Sequence, residues 1–111
     1  MSEAEMNASS ITVIDQGAFN IWFYASDQSQ HGANTNPTGS YPLGQSRTIT
    51  LGGTFIKEGD IVAPVVSAVG GIGPNSQAMG KPIRYDPTAG TANYTVSGTL
   101  FGWSISDPKP G

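Results

Sequence analysis

Glycine and proline punctuate this chain throughout, 15 of the one and 8 of the other in 111 residues. Proline ends or kinks a helix, and an interior glycine weakens one by about 1 kcal/mol. Chain broken this often suits short strands joined by tight turns, where glycine supplies the backbone geometry. The small charged fraction, 12% of residues, points the same way. The length fits one domain, and a folded chain of this size buries about 65% of its unfolded surface.

The stretch "AFNIWFYAS", residues 18–26, shows the strand period plainly. Successive side chains of a strand alternate between faces. Phe19, Ile21, Phe23 and Ala25 then share a core face, while Trp22 and Tyr24 stand side by side on the other. Further strands are expected at "ITVI", "SRTITLGG", "TFIK", "DIVAPVVSAV" and "IRYDP". The last, "TANYTVSGTLFGWSIS", shifts its apolar positions from even to odd, which predicts a bulge at Gly98 or Gly102. One short helical turn is expected near Ser76. Residues 27–46 form a long polar loop, a class of segment that is often functional or mobile.

The expected fold is therefore all-β: a single-domain antiparallel β-sandwich, jelly-roll or immunoglobulin-like, with about seven strands and one long polar loop. Residues 10–107 would form the sandwich, residues 1–9 a disordered tail and residues 108–111 a C-terminal tail.

Charge and composition exclude several functions. A net charge of -3 with five scattered cations offers no basic patch for nucleic acid. Cysteine is absent, so neither disulfides nor thiolate metal sites can form. No run is long and apolar enough for a transmembrane segment, and no signal peptide is visible at the N-terminus. The expected location is cytoplasmic, or outside the cell after release by another route. The single histidine, His31, lies in the polar loop without a serine elbow. The aspartates fall at turns, where they ordinarily bind local backbone amides. "GIGPNSQAMGK" misses the phosphate-loop spacing, and Pro82 stands where a magnesium-binding hydroxyl belongs. No enzyme, cofactor or metal site is expected.

The aromatics remain. Tryptophan and tyrosine stack on sugar rings and lodge at lipid headgroup boundaries. The leading expectation is a lectin-like binding module for carbohydrate or a lipid headgroup, with Trp22, Tyr24, Tyr41, Tyr85 and Asp86 as ligand-binding residues. A membrane-acting, toxin-like β-sandwich is the first alternative. Small size, an acidic pI near 4.7 and the lack of cysteine are similar to properties of small β-sandwich cytolysins such as aegerolysins. No motif ties any stretch of the chain to them. A self-assembling subunit is the second alternative. The strand at 60–69 is apolar on both faces, and Pro64 pulls it toward a sheet edge. Val62, Pro64 and Val66 would then form a homo-oligomer interface.

Overall fold

The computed structural model describes residues 6–71, 73 and 76–111. Its strands are β1 (Asn7–Ala8), β2 (Ser10–Gly17), β3 (Ile21–Asp27), β4 (Ala33–Asn34), β5 (Ser46–Thr50) and β6 (Ile61–Ala68). They continue as β7 (Gln77–Met79), β8 (Ile83–Tyr85), β9 (Thr91–Thr99), β10 (Gly102–Ile105) and β11 (Lys109–Pro110). One sheet runs β1-β8-β6-β3-β4, with β7 also on β6. The other runs β10-β9-β2-β5, with β11 on β9. The fold is all-β and two-layered, as the alternating pattern predicts. Most pairings are antiparallel, but β2 runs parallel to β9 along eight residue pairs, and β1 parallel to β8.

Alternation explains the core between the sheets. Ile11 and Val13 from β2, Ile21, Phe23 and Ala25 from β3, and Ala92, Tyr94 and Val96 from β9 all point inward and are buried. Burial of such side chains stabilises the fold by roughly 1.5–3 kcal/mol each for the larger ones.

Several expectations change on contact with the third dimension. "TFIK" is irregular chain between two turns rather than a strand, and it still buries Ile56. Residues 77–79, near the expected helical turn, extend as β7. The final strand is a hairpin, β9 and β10 joined through Leu100 and Phe101. Thr99 pairs with Gly102 and Val96 with Ile105, so even positions on β9 face odd ones on β10. Chain reversal, and no bulge, produces the phase shift. Lys109 and Pro110 pair with Asn93 and Ala92, so the C-terminal residues add a strand. The disorder expected for residues 1–9 is not met at Asn7 and Ala8, which pair with Arg84 and Tyr85. Residues 1–5 lie outside the described residues, as do Ile72, Pro74 and Asn75 of the glycine-rich loop.

The strand at 60–69 is central. β3 pairs with one side of β6, while β7 and β8 pair with the other. Proline is tolerated there because of where its missing N–H points. The Pro64 carbonyl accepts from Gly80 N at 2.9 Å, so its ring nitrogen faces the same side, where the ladder breaks between β7 and β8. Gly80 permits this approach, since a Cβ there would lie 2.9 Å from Pro64 Cγ and 3.1 Å from the Tyr94 ring.

The polar loop also acquires a structural role. Thr35 and Thr38 accept from the amides of Ala25 and Phe23 through their hydroxyls, at 3.0 and 3.1 Å. Their own amides return bonds to the same residues' carbonyls, and Tyr41 exchanges a backbone pair with Ile21. The free edge of β3 is thus covered by an irregular strip, which removes a template for aggregation.

Candidate functional site

Trp22 and Tyr24 stand on the outer face of the first sheet, with ring centroids 6.3 Å apart and planes tilted by 36°. Both are half-buried, because they share this face with the residues across from them. Trp22 lies opposite Ser67 and Tyr24 opposite Val65, and beyond those stand Gln77 and Met79. Gln77 Nε2 donates to Ser67 Oγ at 3.0 Å, and Gln28 Nε2 donates to Ser26 Oγ at 2.9 Å. Neutral amides therefore flank the aromatic pair at both ends.

The other sequence candidates do not join them. Tyr41 is buried, donates to the Val13 carbonyl at 2.7 Å, and carries the Arg47 guanidinium 4.9 Å from its ring centroid. Burial, reinforced by the nearby Asp15 charge and opposed by Arg47, pushes its phenol well above the usual range. Tyr85 is also buried. Asp86 closes a local turn, accepting from Thr88 N at 2.9 Å and Thr88 Oγ1 at 2.7 Å. Those bonds hold its carboxyl below the ordinary value. Tyr41, Tyr85 and Asp86 thus serve the core and a turn. Val62 and Val66 are wholly buried between the sheets and Pro64 is buried with them, so none is presented to a partner.

A second surface emerges at the end of the sandwich where β2 meets β3, β6 leads toward β7, and β9 turns into β10. Phe101 at the tip of the hairpin is 92% exposed, and Val69 is 45% exposed. Leu100 lies beside the second of these loops, since a Cβ at Gly70 would stand 3.7 Å from its Cδ1. Behind them Phe19 and Trp103 pack with centroids 5.6 Å apart. Residues 16–26, 61–80 and 87–106, which build this end and much of the outer face, contain no charged side chain. In the sequence, Phe101 marks only a change of phase. Its signal was local: glycine and asparagine favour a two-residue hairpin turn, and leucine and phenylalanine occupy this one.

Two carboxylates, Asp27 and Asp60, come together at the opposite end. Asp27 caps the short 3₁₀ turn Gln28–Gln30 by accepting from Ser29 N at 2.9 Å. Gln30 Nε2 bridges it to Asp60, at 3.1 and 2.8 Å. Burial, followed by the neighbouring Asp60, raises Asp27 to about 6, while the hydrogen bond with Asp27, helped by Gln30 and Lys57, lowers Asp60. Gln30 and the turn amides occupy both groups. His31 follows in a left-handed conformation at φ 60° and is exposed. Among the described residues, no three His, Asp or Glu side chains come together as metal ligands.

At the level of sequence, no family model and no curated protein matches the chain. Its fold does match solved structures of toxins. Against listeriolysin O the TM-score is 0.53 at 15% identity, over 93% of this chain and 22% of the other. Against a non-hemolytic pneumolysin from Streptococcus pneumoniae it is 0.53 at 12% identity, over 93% and 23%. Against a disulfide-locked intermedilysin solved with human CD59 it is 0.51 at 16% identity, over 93% and 24%. The chain spans less than a quarter of each of these proteins. At such identities the likeness is one of fold.

Proposed function

We propose that this protein is a non-enzymatic, toxin-like module that attaches to membrane surfaces by the end that carries the β9–β10 hairpin tip. The observation that carries the reading is Phe101, 92% exposed on a hairpin tip beside Leu100 and the exposed Val69. Turn chemistry disfavours those residues there, and departures from local rules concentrate at functional sites. An aromatic ring with aliphatic neighbours fits the boundary between headgroups and hydrocarbon. With no cation nearby, attachment relies on burial of apolar surface instead of attraction to anionic lipid. The fold shared with toxins supports the same reading.

Co-flotation with phosphatidylcholine vesicles tests the reading. Wild-type protein should float equally at low and high salt. Phe101→Ser should bind roughly thirtyfold more weakly, from the loss of about 2 kcal/mol of apolar burial, with its circular dichroism unchanged. Wild-type protein that stays at the bottom of the gradient, or binding indifferent to Phe101, would sink the proposal.

A further inference from the structure

Two rings on the outer face of the first sheet keep polar atoms that no described residue engages. Tyr41 and Tyr94 both spend their hydroxyls on backbone carbonyls, at 2.7 and 2.6 Å. Trp22 Nε1 and the Tyr24 hydroxyl hydrogen-bond to no described residue. The same holds for the Oε1 acceptors of Gln77 and Gln28, whose amide nitrogens are anchored on Ser67 and Ser26. Anchoring matters, because it aims each free acceptor without further loss of side-chain freedom.

These groups follow one line along β3. Trp22, Ser67 and Gln77 form the first row across three strands, each about 4.8 Å from the next. Tyr24, Val65 and Met79 form the second row. Beyond it opens a cavity of about 290 Å³, lined by Gln28, Ser29, Ile61, Ala63, Met79 and Pro82. Ser29 is held in place by accepting from Ile61 N at 2.9 Å. The strip thus has a tilted aromatic platform, the exposed Met79 at its far side, neutral amides at both ends and a recess. Arg84 lies at the far end with its guanidinium against the Gly59 carbonyl at 3.4 Å.

We propose that this strip is a binding site for an uncharged oligosaccharide. A hexose presents C–H bonds on the flat of its ring and hydroxyls around its edge. The rings of Trp22 and Tyr24 match the first, and amide carbonyls with an indole N–H match the second. A sialylated or sulfated glycan would find no cation beside the platform. The recess beyond Tyr24 takes the next sugar of the chain, since pockets for small ligands begin near this size. The site is separate from the hairpin tip and does not depend on membrane attachment.

The probe is a set of neutral glucose, galactose, mannose and N-acetylhexosamine oligosaccharides, first immobilised and then titrated against tryptophan fluorescence. Wild-type protein should bind at least one of them. Trp22→Ala and Gln77→Ala should each weaken that binding by about tenfold or more, and Phe101→Ser should leave it unchanged. Gln77 is exposed on a three-residue strand, so its variant keeps the fold even where Trp22→Ala does not. Absence of any sugar signal, or a signal that survives both substitutions, overturns the proposal. So does a dimer that Trp22→Ala dissolves and sugar fails to displace. Vesicle binding without sugar binding sinks this site alone, and the reverse sinks the membrane reading alone.

Discussion

Gly98 has a φ of 113°, in the region that side chains with a Cβ rarely enter. A Cβ there would collide with the Gly102 carbonyl oxygen and lie 2.8 Å from Trp103 Cα. Both groups are backbone across the hairpin, so neither can turn aside. Gly98→Ala should therefore cost about 2 kcal/mol or more in urea denaturation and should disturb the tip that carries Phe101. A variant as stable as wild type would show that the hairpin tolerates another path. Glycine at 98 was legible as a special position in the sequence. Its physical role, to bring β10 against β9 at the point of reversal, was not, because the contact is made only after the chain turns back.

At the scale of elements, the strip from Thr35 to Tyr41 matters most. Its threonines answer the amides of Ala25 and Phe23 where a neighbouring strand would otherwise do so. Thr38→Val keeps the shape and removes the acceptor, so it should destabilise by about 1 kcal/mol and increase aggregation on heating. Thermal scans with light scattering check both effects, and an unchanged profile would count against the edge-covering role. The sequence of this loop, rich in polar residues and poor in apolar ones, carries no period to reveal such pairing. The strand at 18–26 is the opposite case. Its odd positions lie in the core and its aromatic pair on the outer face, as alternation predicts. For 60–69, alternation correctly showed two apolar faces. It could not show that β3, β7 and β8 flank the strand and that the chain covers both faces itself.

For the whole molecule, buried carboxylates set the response to pH. Asp15 is fully buried, with Oδ1 accepting from Gly17 N at 2.9 Å and Oδ2 unpartnered among the described residues. Burial raises its pKa above the ordinary carboxylate value, as it raises that of Asp27 to about 6. A raised folded-state pKa means that the native protein holds the proton more tightly. Stability from these groups is therefore full below the unfolded value and is lost as pH rises through the folded one. Asp60 is lowered and acts oppositely, losing its contribution as pH falls below about 4. The melting temperature should thus rise by roughly 5 °C from pH 7.5 to pH 5, as about 1 kcal/mol produces in a domain of this size. Asp27→Asn should flatten that slope, and a wild-type profile already flat across the interval would contradict it. Taken alone, the sequence determined the strand class, the inward and outward positions of most strands, and the absence of charge from 61–80 and 87–106. Those properties are local, since a period of two needs only neighbours along the chain. Only the tertiary structure decided that β2 lies parallel to β9, 81 positions further along the chain, and that the Tyr41 hydroxyl is spent on Val13 while that of Tyr24 bonds to no described residue. Partner choice and exposure depend on what the rest of the chain places alongside a residue, and no local pattern encodes that.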